Sequence, residues 1–231
     1  MQVTNNSLHV TPKFWKTLYG VINAVPDENA VTCSLENYGE WVENELDLLT
    51  ELLQEGATVV EVGSEYGAHT LCLSQTVGSG GEVHVMESDR LVHLQLCANI
   101  ALNSLNNVYA YLSSNRKREM TVDELDLGAF QLLKVNTPGA LVNVLTGGRE
   151  LVQKHKPYIY FRLSSPQQAQ KEVAALKALG YRCWSHMAYL YNPENQASNQ
   201  TNYFPGWAHQ NIIAAPLESG MGADFEHLRE I

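Results

Sequence analysis

Cysteine is scarce, with four in 231 residues, and no two of them form a Cys-x-x-Cys pair. Cys33, Cys72, Cys97 and Cys183 are scattered, and contexts such as Leu71-Cys72-Leu73 mark buried free thiols rather than a disulfide framework. Free thiols fit a reducing compartment, so the chain is expected to be cytoplasmic. The eight histidines and the cysteines show no ligand spacing, which predicts no metal site. Basic residues are also few: 15 against 25 acidic ones, a formal charge of −10. A surface of that sign repels phosphate backbones and argues against a nucleic-acid partner; Arg116-Lys117-Arg118 is the only dense basic cluster. No apolar run approaches the roughly eighteen residues of a membrane span. The N-terminus has no apolar core after a basic start, so neither a membrane partner nor a secretory leader is expected.

What is present is a regular alternation. Apolar runs fall at 58–62, 83–86, 108–112, 131–135, 158–163, 181–187 and 211–215, and helical patterns fill 68–77, 90–103, 139–153 and 167–179. Strands alternating with helices predict an α/β fold, a mostly parallel sheet with helices on both faces. The seventh run follows a long loop instead of a helix and is expected to insert antiparallel at the sheet edge. Upstream, Thr11-Pro12 reads as a helix start, with Phe14, Trp15, Leu18, Tyr19 and Ile22 at helical spacing. Glu40 to Glu55 reads as a second helix, with Trp41, Val42, Leu46, Leu49, Leu52 and Leu53 on one stripe and Gly56 as its cap. The expected organisation is one domain over 1–231: an N-terminal helical extension over 1–55, a core over 56–216 and a tail over 217–231.

In such a sheet, ligands bind at the carboxyl ends of the strands near the point where strand order reverses. That selects Gly63–Gly67, Glu87-Ser88-Asp89, Ser113–Asn115 and Asn136–Gly139. The first run ends Val59-Val60-Glu61-Val62-Gly63-Ser64-Glu65-Tyr66-Gly67-Ala68-His69-Thr70, and the second ends in Glu87 about twenty residues later. This is the layout of a nucleoside-binding βαβ unit. The glycine spacing lacks the third glycine of the dinucleotide fingerprint and fits S-adenosylmethionine (SAM) better than NAD. Glu87 is placed to accept from ribose hydroxyls. His186 and His209 lie near strand ends, as general bases or as structural histidines. Residues 189–208 interleave amides with Tyr189, Tyr191, Tyr203, Phe204 and Trp207. They suit a neutral polar ligand under a mobile cover, or a surface loop of amide-rich turns.

These residues resemble the FkbM-type SAM-dependent methyltransferases. The resemblance runs from about Tyr38 to Pro216 and rests on five blocks: Tyr38-Gly39-Glu40-Trp41, Glu61 to Thr70, Cys97 to Asn103, Leu132 to Asn136 and Tyr191-Asn192-Pro193-Glu194-Asn195. It implies a Rossmann-like class I methyltransferase fold, a seven-stranded sheet with an antiparallel last strand. It implies SAM held by Glu61, Gly63, Ser64, Glu65, Tyr66, Gly67, Thr70, Glu87, Ser88 and Asn136. It also implies O-methylation of a hydroxylated small molecule or sugar, met by Tyr191, Asn192, Asn195 and Trp207. A homo-oligomer or a partner protein is compatible with it. Where the family reads Asp-x-Glu-Gly after the fourth strand, this chain has Asn136-Thr137-Pro138-Gly139; Arg162 replaces a glutamate, and the insert at Ser113–Thr121 is short. An amide cannot take a proton as a carboxylate does. The alternative is therefore a catalytically silent homologue that binds SAM or a partner chain.

Overall fold

The computed structural model describes residues 11–25, 29–114, 119–217, 225 and 227–231. Arg116-Lys117-Arg118 and Asn115 lie outside the described residues.

An eight-stranded sheet forms the centre. Its strands are Thr58–Val62 (β3), Glu82–Glu87 (β4), Val108–Leu112 (β5), Leu132–Val135 (β6), Tyr158–Arg162 (β7), Tyr181–Tyr189 (β8), Ala208–Pro216 (β9) and Arg229–Glu230 (β10). The order is β10-β8-β9-β7-β6-β3-β4-β5. The five strands from β5 to β7 are parallel neighbours, and β9 lies antiparallel between β7 and β8. All seven apolar runs of the sequence are strands. β10 is an addition, paired with β8 and clamped by Arg182–Glu230 at 2.6 Å. Phe225 packs against Trp184 and Tyr158.

Among the described residues, seven α-helices accompany the sheet: Ala30–Tyr38 (α1), Glu43–Leu52 (α2), Thr70–Val77 (α3), Arg90–Leu102 (α4), Leu141–Gly147 (α5), Arg149–His155 (α6) and Pro166–Ala178 (α7). Successive residues of a strand point to opposite faces, so the central strands are apolar on both. Val59, Leu132 and Tyr160 meet α2, α3 and α4, while Val60, Leu133 and Phe161 meet α5, α6 and α7. The 139–153 pattern is two helices rather than one, because the Asp123 carboxylate accepts from Glu150 N and Leu151 N and starts a new helix there. Among the described residues, no helix is long and apolar enough to cross a membrane.

The N-terminal extension departs from expectation. Residues 13–24 are not a helix but an antiparallel hairpin, Lys13–Thr17 (β1) with Gly20–Ala24 (β2). Trp15 and Thr17 are buried while Phe14 and Lys16 are exposed, a period of two. The hairpin is fixed by α4, whose Asn103 and Asn99 side chains bond the backbone of Val21 and Asn23 at 2.7–3.0 Å. Gly20 makes that approach feasible: at φ 149°, a Cβ there would fall 2.3 Å from Asn103 Oδ1. The helix read over Glu40–Glu55 is shorter, starting at Glu43 after Val42 in the left-handed region. Glu40 and Trp41 are held off the helix, because Ser34 Oγ donates to Glu40 O and Trp41 Nε1 to Glu65 Oε2.

Candidate functional site

Strand order reverses between β3 and β6. Beside that point, at the carboxyl ends of β3 to β6, opens a cavity of about 270 Å³. Val62, Met86, Met120, Val122 and Val144 supply apolar walls; Ser88, Ser113, Ser114, Thr137 and Asn143 supply neutral polar groups and Glu119 a carboxylate. Apolar walls with a few hydrogen-bonding groups, one of them an acid able to accept from hydroxyls, suit a nucleoside.

Gly63 lines the cavity at φ 85°, and a Cβ there would lie 2.8 Å from Thr137 Oγ1. Gly63→Ala therefore strains the loop and narrows its contact with Thr137. Ligand affinity at this site is expected to fall roughly 5- to 150-fold, the counterpart of about 1–3 kcal/mol of backbone strain. Titration calorimetry checks it, and an unchanged affinity would remove Gly63 from the site.

The loop beyond Gly63 carries more strain. Glu65 and Tyr66 both sit at positive φ, 46° and 64°. Tyr66 O accepts from Asn99 Nδ2 at 2.8 Å, and Glu65 is gripped by Arg162 Nη1 at 2.7 Å and Trp41 Nε1 at 2.8 Å. Glu87 does not line the cavity. It accepts from Ser64 N, Ser64 Oγ and Asp89 N at 2.7–2.9 Å, so it secures the loop from beneath. Ser64 is fully buried in that contact. Glu61 and Thr70 are also fully buried and bond each other at 2.6 Å. Asn136 Nδ2 donates to Glu61 Oε1 and Gly63 O, and Lys134 Nζ donates to Asn136 Oδ1. Of the ten residues assigned to the cofactor from the sequence, Gly63 and Ser88 line the cavity; most of the others build the loop that frames it.

Behind the loop lies a buried charged cluster centred on Glu45 of α2. Glu45 Oε1 receives His209 Nδ1 at 2.8 Å and Asn211 Nδ2 at 3.1 Å, and faces Arg162 Nη2 at 3.6 Å. Its Oε2 faces His69 Nδ1 and Lys134 Nζ, each at 3.8 Å. Burial raises the Glu45 carboxyl, but the His209 bond and the Lys134 and Arg162 charges outweigh it and hold the group well below its usual range. Glu65 follows the same balance, burial against Arg162 and Lys134, and settles at about 2. Burial, then Lys134, depresses His69 to about 4.

His209 thus belongs to this cluster, with its ring edge-on to Trp41. His186 lies elsewhere. It sits on β8, bonded to Tyr160 OH at 2.9 Å, four strand positions from β3. At about 4.8 Å per strand that is roughly 19 Å from the glycine loop.

The 190–207 segment resolves into amide-rich turns. Asn192, Asn195, Asn199 and Asn202 side-chain oxygens cap the backbone of Glu194, Asn199, Thr201 and Phe204. Tyr38 OH donates to Thr201 O and receives Tyr203 N, and Glu40 receives Gln196 N and Asn192 Nδ2. Asn195 is buried in these bonds, Tyr191 packs on Tyr38, and Trp207 is 60% exposed. The segment is tied to α1 and the turn after it, and its Leu190 and Phe204 share an apolar cluster with Trp15; this bonding argues against a freely moving cover.

Glu45 was not read from the sequence as a site residue, although it shares a stripe with Leu49 and Leu52 at i+4 and i+7. Lys134 carries its own signal in the sequence, a lone charge inside an apolar strand.

No family model and no curated protein matches this sequence. Solved structures do. A SAM-dependent O-methyltransferase from Thermotoga maritima aligns with 89% of this chain and 85% of its own, at TM-score 0.57 and 14% identity. The fold is that of the class I SAM-dependent methyltransferases. A putative rRNA methylase from Clostridium thermocellum aligns at TM-score 0.55 and 12% identity, over 77% of this chain and 96% of its own. Fibrillarin from Aeropyrum pernix, solved with SAM bound, aligns at TM-score 0.51 and 14% identity, over 74% of each chain. These neighbours act on different acceptors by their descriptions, so the shared methyltransferase fold leaves the acceptor class open. The expectation of no nucleic-acid partner, drawn from net charge, gains no support from these neighbours, one of which is described as an rRNA methylase.

Proposed function

We propose that this protein is a SAM-dependent methyltransferase acting on a hydroxyl of a neutral small molecule or sugar. The observation that carries the reading is the nucleoside-sized cavity at the switch point, with Gly63 where a side chain would collide with Thr137. The residues present fit the cofactor. Ser88, Ser113 and Ser114 offer hydroxyls to an adenosine, Met86 and Val122 offer apolar walls, and the strained 64–67 loop presents backbone groups beyond Gly63. SAM would supply there an electrophilic methyl group on a sulfonium.

This chain's own part is positioning and water exclusion, since Asn136 cannot serve as a base. Neither His186 nor His209 lines the cavity. Of the two, His209 is tied through Glu45 to the cluster behind the glycine loop, and with Nδ1–H donating to Glu45 Oε1 its Nε2 would be the nitrogen able to accept a proton. The −10 charge favours a small acceptor over a nucleic acid. The blocks from Tyr38 to Asn195 that resemble FkbM-type enzymes support hydroxyl transfer.

One observation favours the rival reading of a silent SAM-binding homologue. Arg162 and Glu65 are already bonded to each other, and Asn136 to Glu61 and Gly63, inside the protein. The experiment is calorimetry with SAM and its demethylated product, then incubation with labelled SAM and a cell extract. Binding with transfer of label to a small molecule supports the enzyme. Binding without transfer supports the homologue, and no binding sinks both.

A further inference from the structure

The helix α4 has an unusual outer face. A surface helix normally turns charged and polar residues to solvent. Here the exposed positions after Arg90 are Leu91, Leu94, Cys97, Ala98, Ala101 and Leu102, with no charge among them. Leu91, Leu94 and Leu102 are 55%, 47% and 47% exposed. The opposite face is fully used: Leu96 enters the core, and Asn99 and Asn103 hold the β1–β2 hairpin. Cys97 Sγ reaches only His93 Nε2 of its own helix, at 3.6 Å, and the outward leucines and alanines belong to none of the core clusters among the described residues and take no part in the proposed site.

Their spacing is specific. Leu91, Leu94, Ala98 and Ala101 follow at steps of three, four and three, the seam of a paired helix. The two large residues precede the two small ones. Antiparallel alignment of two copies about a point level with Gln95–Cys97 sets Leu94 over the other copy's Ala98 and Leu91 over its Ala101. Each large side chain meets a small one, and the alanines allow an interaxial distance near 8 Å. Charge fits as well. The last turn of α4 holds no basic residue, and the alignment brings the second copy's Arg90 to that negative helix end, beside an Asp89 whose carboxylate is bonded to Leu91 N and Val92 N of its own helix. The four seam positions carry no charge, so two chains of charge −10 meet there without apposed acids in the seam.

We propose that α4 is a two-fold dimer interface, paired antiparallel with α4 of a second copy through Leu91, Leu94, Ala98 and Ala101. The contact is isologous, so it closes at two chains. Cys97 flanks the seam on one side and faces its own copy across the dyad, since equivalent flanking positions meet in antiparallel pairs.

Sedimentation velocity across a micromolar concentration series tests the idea. Wild type is expected to shift from one to two chain masses with rising concentration. Leu94→Glu should stay at one chain mass with an unchanged unfolding midpoint, because position 94 is exposed in the monomer. Independently of any folding effect, a short-spacer bis-maleimide should link wild-type chains into covalent dimers, and Cys97→Ser should abolish the product. A wild-type chain that remains monomeric throughout overturns the proposal. So does a dimer that survives Leu94→Glu or cross-links without Cys97.

Discussion

Lys134→Met is expected to lower the free energy of unfolding by about 3–5 kcal/mol, the cost of leaving buried charge uncompensated. Lys134 is fully buried on β6, with Nζ bonded to Asn136 Oδ1, 3.5 Å from Glu61 Oε1 and 3.8 Å from Glu45 Oε2. The cluster sets three carboxylates, Glu45, Glu61 and Glu65, against Lys134 and Arg162. Methionine preserves most of the side-chain volume but leaves Arg162 alone against three acids. The Glu61 carboxyl is already pushed up by burial, with Lys134 as the main opposing influence, so it is the group that must then take up a proton or stay charged in the core. Lys134→Met combined with Glu61→Gln should recover most of the loss, because neutral replacement of both members of a buried pair is often tolerated. Urea unfolding of the two variants decides it. A double variant as unstable as the single one would show that packing, not charge, sets the cost.

The sheet was legible because its strands are buried on both faces. Continuous apolar runs such as Thr58–Val62 and Tyr158–Phe161 leave little room for another reading, and the long loop after Tyr189 marked the one connection that could return antiparallel. The hairpin at 13–24 was not legible. Phe14, Trp15, Leu18, Tyr19 and Ile22 satisfy a helical period and, in part, a period of two. The choice was made by Asn99 and Asn103, about eighty residues away, which offer their amides to an extended backbone. No local window contains that information.

The site divides the same way. Strand ends pointed to Gly63, Ser88, Ser113 and Thr137, all of which line the cavity. What the sequence could not say is which polar residues face a ligand and which face the protein. Glu87 sits where a ribose-binding acid belongs, yet its oxygens receive Ser64 and Asp89. The amides of the 190–207 loop have ligand-binding chemistry, but the backbone they would leave unsatisfied claims them first. Met120, Asn143 and Val144 line the cavity without any sequence pattern, placed there by the turn after β5 and by α5.

Acidification from pH 6.5 to 4 is expected to destabilise wild type, relative to a His69→Gln variant, by about 3 kcal/mol. His69 is fully buried, with Nε2 bonded to Trp41 O at 2.6 Å. Burial and the Lys134 charge bring its pKa from 6.5 to about 4. The folded state therefore keeps the ring neutral over a range in which the unfolded chain takes a proton. The stability this represents is whole above pH 6.5 and is lost as pH falls toward 4. Glu65, at about 2 in the fold, extends the loss below pH 4.5 in the same direction. Glu43 acts oppositely. Burial lifts it to about 7, so its contribution is largest below pH 4.5 and disappears as pH rises through 7. The two trends overlap between pH 4.5 and 6.5, and the slope of wild type alone does not isolate His69. The difference between wild type and His69→Gln does, since glutamine can still donate to Trp41 O but cannot titrate, and Glu43 is common to both. Urea unfolding at half-unit steps from pH 4 to 7.5 should show the variant gaining on wild type as pH falls. Parallel curves would mean that His69 takes up its proton in the folded state, with Glu45 Oε2 turned to receive Nδ1–H.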